Sequence, residues 1–144
     1  MRSSIRIRRP VPERIDLGLL DTSVVIDLHE FEPHQLPHRM AVSAITMAEL
    51  AAGPSATEDI AERARRQDRL QRAEAVFDPV PFGVNAARAY GRVYSAVRTH
   101  GRNPRSRFAD LLIAAVALGE DIPLLTRDLQ DLTGLDRLID LVEV

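Results

Sequence analysis

Short apolar runs alternate with helical patterns along almost the whole chain, and this alternation constrains the fold more than any other feature. Residues 15–20, 40–44, 77–81, 123–126 and 138–142 read as strands. Residues 24–30, 47–52, 57–75, 85–99 and 107–118 read as helices. In the fourth helix, Ala86, Ala89, Tyr90, Val93, Tyr94 and Val97 form one apolar stripe of helical period. Ser23 is expected to cap the first helix, and Ser55 with Glu58 to form a capping box on the third. Gly53-Pro54 and Gly119 are expected to end the second and fifth. An alternating pattern of this kind argues for a parallel sheet covered by helices on both faces. A chain of 144 residues is long enough to build such a core as one domain. Residues 1–14, with Pro10 and Pro12, read as an N-terminal extension leading into a domain that fills 15–144.

Ligands of open parallel sheets gather beyond the carboxyl ends of the strands. Four acids fall at such places. Asp21 follows the first strand, Glu49 lies in the first turn of the helix after the second, Asp110 lies near the start of the fifth helix, and Asp128 follows the fourth strand. Each alone has an ordinary structural explanation: a turn at Asp21, a Thr46–Glu49 capping box, a helix dipole at Asp110 and a turn cap at Asp128. Together they need another. Carboxylates gathered at one sheet end repel one another unless a cation neutralises them. With hard oxygen donors only, magnesium or manganese is the expected ion rather than zinc. Carboxylate-bound ions of this kind suit phosphodiester hydrolysis, one activating a water and another stabilising the leaving oxygen. Ser23 and Thr126 stand beside these acids as hydroxyls for positioning a phosphate or a metal-bound water.

Composition closes other routes. Cysteine is absent, which excludes thiolate sites and cysteine nucleophiles. Lysine is absent too; all 19 basic residues are arginine, which removes the P-loop lysine and Schiff-base chemistry. Pro37 spoils any helix that would pair His34 with His38 as metal ligands, and His29 and His100 are isolated. No apolar run approaches the roughly 18 residues of a membrane span. The arginine-bearing start lacks the apolar stretch of a secretory signal, and a cytoplasmic location is expected.

The ordered acid-bearing segments resemble a known family. They are Leu19-Leu20-Asp21-Thr22-Ser23-Val24-Val25-Ile26, Ser43-Ala44-Ile45-Thr46-Met47-Ala48-Glu49-Leu50, Phe108-Ala109-Asp110-Leu111-Leu112-Ile113-Ala114-Ala115 and Leu124-Leu125-Thr126-Arg127-Asp128. The set resembles the PIN-domain ribonucleases, in particular the VapC-type toxins of bacterial toxin–antitoxin pairs, and the resemblance runs from about Leu19 to Val144. It implies an α/β/α sandwich with a central, mainly parallel sheet. It implies a Mg2+-dependent endoribonuclease, with Mn2+ as the alternative ion. It further implies a homodimer inhibited by a small VapB-like antitoxin whose tail enters the acidic groove. Asp21, Glu49 and Asp110 match family acids, with Asp21 and Asp110 as the most direct metal ligands and the others supporting. The last acid is open between Asp128 and Asp131, since family members differ there and this chain carries both. Two features depart from the family: the N-terminal extension, and a stretch at 101–107 longer than the corresponding loop.

Arg102, Arg105 and Arg107 precede Asp110 and are candidates for guiding an RNA backbone. The arginines of 63–72 read instead as an ion-paired surface, because Asp59–Arg63, Glu62–Arg66 and Asp68–Arg72 are spaced i,i+4. Two other functions compete. A catalytically silent module of the same fold would bind RNA or a protein partner without cutting, and would have no need of clustered acids. A phosphatase or response-regulator-like domain is disfavoured by the missing lysine. Asp21-Thr22-Ser23 also lacks the second aspartate that aspartyl-phosphate phosphatases place two residues on.

Overall fold

The structure, a computed structural model, describes residues 14–144. The extension expected over 1–14 lies, Arg14 apart, outside the described residues. The elements run β1 (Leu17–Leu20), α1 (Thr22–Ile26), β2 (Arg39–Ala41), α2 (Ala44–Ala52), α3 (Ile60–Val76), α4 (Val84–Thr99), α5 (Phe108–Glu120), β3 (Leu124–Thr126) and β4 (Leu141–Glu143). The four strands form one parallel sheet in the order β2-β1-β3-β4.

Side chains alternate across the sheet with the two-residue period of a strand. Leu19, Leu124 and Leu141 point into a core shared with α4 and α5. Their neighbours Leu20, Leu125 and Val142 point the other way, into a core shared with α1, α2 and α3. Strands buried on both faces are unbroken apolar runs for this reason. The result is the expected three-layer α/β/α sandwich.

Several local expectations are corrected. Residues 77–81 do not form a strand; only one parallel bridge joins Val80 to Ser43. Pro79 and Pro81 flank Val80 and have no N–H with which to extend a ladder. Asp21, not Ser23, caps α1, and α1 stops at Ile26 before a 3₁₀ turn at Leu28–Glu30. Ser43 caps α2 by accepting from Thr46 N at 3.1 Å, so the Thr46–Glu49 capping box does not form. Asp59 caps α3 in place of Ser55 and Glu58, because Gly53–Ala56 is itself a 3₁₀ turn. Arg63 donates to the Pro54 and Thr57 carbonyls, while Glu62–Arg66 and Asp68–Arg72 pair as expected. Gly119 does not end α5, which runs on to Glu120. A Cβ at Gly119 would stand 2.9 Å from both Ala86 N and Asn85 C, so glycine there allows α4 and α5 to touch. Among the described residues, no helix is long and apolar enough to cross a membrane.

Candidate active site

The sheet places the first acid. Asp21 N donates to Leu125 O at 2.8 Å, carrying the β1–β3 pairing one residue beyond β1. The side chain is buried, 8% exposed. Its Oδ1 accepts from Thr22 N at 2.9 Å, and its Oδ2 from Ser23 Oγ at 3.1 Å and Thr126 Oγ1 at 2.9 Å. Both hydroxyls are also acceptors, Ser23 Oγ from Arg127 N at 3.2 Å and Thr126 Oγ1 from Asp128 N at 3.1 Å. They were expected to face a phosphate or a water. In the protein alone they orient the Asp21 carboxylate and tie the turn after β3 to it.

Glu49 reaches the same end of the sheet from α2. Its Oε1 accepts from Thr22 Oγ1 at 2.6 Å. Thr22 has one hydroxyl proton, so it must accept from Thr46 Oγ1, 2.9 Å away. Thr46 Oγ1 in turn lies 3.5 Å from Ser43 Oγ, and both Ser43 and Thr46 are fully buried. A chain of hydroxyls thus runs from the cap of α2 to an exposed carboxylate.

Asp110 lies in the first turn of α5 and completes the cluster. Burial pushes its carboxyl up to about 6, and the negative charges of Asp21, Glu49 and Asp131 push the same way, against Arg107. The four acids are therefore electrostatic neighbours. Asp131 is also raised, by burial first and then by the charge of Asp128, with Arg107 opposing. Of the two acids left open by the sequence, Asp131 acts on Asp110, and Asp128 backs onto Asp131 across the 3₁₀ turn Leu129–Leu132.

Residues 18–137 match the PIN domain family model, which spans all five acids. The chain belongs to the PIN-domain family. It is 37% identical over 126 residues to Ribonuclease VapC5 of Mycobacterium tuberculosis (strain ATCC 25618 / H37Rv), covering 83% of this chain and 87% of that one. It is 35% identical over 104 residues to Ribonuclease VapC8 of M. tuberculosis (strain CDC 1551 / Oshkosh), covering 72% of this chain and 92% of that one. Its fold matches the crystal structure of VapBC-5, a member of the VapBC family of toxin–antitoxin systems from M. tuberculosis. There the TM-score is 0.77 at 33% identity, over 89% of this chain and 98% of that chain. These relatives place it among VapC-type PIN domains.

PIN-domain ribonucleases of the VapC type depend in general on a divalent metal, and the pocket of this PIN domain fits one. Its donors are carboxylate and hydroxyl oxygens, the preference of hard cations. Asp110 is held high by burial and then by its anionic neighbours, with Arg107 opposing them. Among the described residues no three acidic or histidine side chains stand close enough, as placed, to share one ion. A cation would meet one or two carboxylates and complete its shell with water, which is how Mg2+ binds.

Three arginines of this PIN domain flank the pocket differently. Arg107 pairs with Asp131 at 3.0 Å, and its side chain is 53% exposed, so solvent gives it a way out. Its backbone is left-handed, with φ 61°, a conformation that costs a non-glycine residue about 1–2 kcal/mol. Such strain gathers at functional sites. Arg102 reaches Gln130 O at 3.5 Å, and Arg105 is exposed. Sequence reasoning missed Arg127. Its guanidinium meets Asp27 at 2.9 Å, Glu30 at 3.3 Å and the face of Phe31 at 4.8 Å, pinning the turn that carries Asp128 and Asp131. Thr22 and Thr46 were missed as well. They lie inside the acid-bearing segments, but nothing in one dimension pairs residues 24 positions apart.

Proposed function

We propose that this PIN domain is a metal-dependent endoribonuclease, the toxin of a toxin–antitoxin pair. One observation carries the reading: Thr22 joins Asp21 and Glu49 at the carboxyl end of a parallel sheet, its N–H on one carboxylate and its hydroxyl on the other, and the Asp110 carboxyl is pushed up to about 6 by burial and then by the charges of Asp21, Glu49 and Asp131. A silent binding module gains nothing from that repulsion. The ribonuclease names of VapC5 and VapC8 support the activity. The VapBC-5 assembly supports a VapB-like antitoxin as partner.

Asp21 and Asp110 hold the cation, which is Mg2+ in this proposal, with Mn2+ the alternative. Glu49 and Asp131 act through water, and Asp128 supports Asp131. When bound, the ion lowers the pKa of a water and draws charge from the phosphate. Ser23 and Thr126 keep the Asp21 carboxylate in one orientation, and Thr22 does the same for Glu49. Arg107 leaves Asp131 and, with Arg102 and Arg105, takes the RNA phosphates. The folded domain spans 15–144, with 1–14 as an added segment. A ribonuclease toxin acting on cellular RNA would work in the cytoplasm. Exposed Tyr94 and Phe108, both edge-on to Tyr90, offer an aromatic patch for a homodimer.

The test is cleavage of total RNA with Mg2+ by wild type, Asp21→Asn and Asp110→Asn, with folding checked by circular dichroism. Both variants should be inactive and folded, and chelator should silence the wild type. Cleavage that survives chelation, or survives in either variant, would sink the proposal.

A further inference from the structure

A cavity of about 130 Å³ opens beside the acids, and Arg107 and Asp131 form part of its wall. Its apolar lining is Val97 of α4 and Leu111 of α5, both buried. Its polar lining is Arg102, Asn103 and Ser106 from the 101–107 stretch, with Thr133 from beyond β3. Apolar surface within a polar rim complements a nucleobase, which has a flat face and a hydrogen-bonding edge.

Size selects the ring. A cavity of about 150 Å³ takes up benzene, so a single six-membered ring matches this one, and the fused rings of a purine would project from its mouth into solvent. The unused hydrogen-bonding groups select the edge. Thr133 Oγ1 already donates to Gln130 O at 2.7 Å, and Asn103 Oδ1 accepts from Arg105 N at 3.0 Å. The Asn103 NH2 and the Ser106 hydroxyl remain, and both can donate. Donors match the carbonyl oxygens of a pyrimidine. The walls are also preformed. Arg102 N bonds Val97 O at 3.1 Å and Ser106 N bonds Asn103 O at 3.1 Å, which fixes the loop backbone.

We infer that this cavity receives a pyrimidine base of the RNA, one next to the scissile phosphate, and so sets cleavage specificity. The inference rests on the ribonuclease reading, since the acids define where the phosphate lies.

Two arms test it. In the first, cleavage sites are mapped on a randomised single-stranded RNA with Mg2+, for wild type, Ser106→Ala and Asn103→Asp. The second substitution keeps the turn-forming oxygen and removes the NH2 donor. Wild type should favour a pyrimidine at one fixed position flanking the cut by roughly tenfold or more, and each variant should flatten that position alone. Added charge in Asn103→Asp would weaken all sites alike, which separates it from lost base reading. No preference at any flanking position, or an unchanged preference in both variants, overturns the inference. In the second arm, Asp110→Asn protein is titrated with adenosine hexaribonucleotides carrying one uridine at successive positions. Tighter binding for one register, lost on Ser106→Ala, supports the pocket. Equal binding of all registers overturns it. If wild type does not cut, the ribonuclease reading fails, and this second arm still decides the cavity.

Discussion

Neutralising Asp110 should stabilise the metal-free protein above pH 6. The carboxyl titrates at about 6, against an ordinary value of 3.8. At 1.36 kcal/mol per pH unit this corresponds to about 3 kcal/mol. The side chain is only half withdrawn from solvent, so screening leaves about 1–2 kcal/mol. The sign follows from proton binding. Between pH 3.8 and about 6 the folded state holds this proton more tightly than the unfolded chain, so stability falls as pH rises through that window. The penalty is complete above it. Asp110→Asn removes the charge and keeps the shape, so in chelator at pH 8 its melting temperature should exceed wild type by about 2–8 °C, at 2–4 °C per kcal/mol for domains near this size. The gain should shrink toward zero as pH falls below 4. Added Mg2+ should raise the wild type at pH 8 and leave the variant nearly unmoved, because only the wild type retains the full donor set. Calorimetry at pH 4 and pH 8, with and without Mg2+, measures all of this. A variant less stable than wild type at pH 8, or a gain equal at both pH values, would refute the reasoning.

Gly119→Ala should cost about 1–3 kcal/mol despite the better helix propensity of alanine, because its Cβ meets backbone atoms of α4. Gly91→Ala, with nothing within 4 Å, should instead gain up to about 1 kcal/mol; urea midpoints in the opposite order would remove the argument for close α4–α5 contact. Thr46→Val should cost about 1–2 kcal/mol and slow RNA cleavage by freeing Glu49, with Thr46→Ser restoring both. Full activity in the valine variant would show that the hydroxyl chain does not position Glu49.

Much of the architecture is local and was legible in one dimension. Leu19-Leu20, Leu124-Leu125 and Leu141-Val142 are unbroken apolar pairs because each residue of a pair serves a different face of the sheet. That pattern, with helical stripes between, leaves few alternatives to a covered parallel sheet. The acids Asp21 and Asp110 were legible for a related reason: one falls just past a strand and the other at a helix start, where a parallel sheet exposes its carboxyl end. Glu49, expected in a first turn, lies instead in the middle of α2, because that helix begins three residues earlier, at Ala44. The strand expected at 77–81 failed because apolar character alone does not supply the N–H groups a ladder needs.

Partner choice was decided only in three dimensions. Asp128 and Asp131 are equivalent on paper. The 3₁₀ turn places Asp131 against Arg107 and Asp110 and leaves Asp128 behind it. That Ser23 and Thr126 both donate to Asp21 is likewise a tertiary contact, in the case of Thr126 across 105 positions. The raised carboxyl of Asp110 depends on charges up to 89 positions away in sequence, at Asp21. Periodicity and side-chain chemistry belong to each short segment, so the chain itself determined the fold class and the kind of site. Burial and proximity belong to no segment; they arise when distant segments pack, and only the tertiary structure decided which hydroxyl, arginine or acid each carboxylate meets.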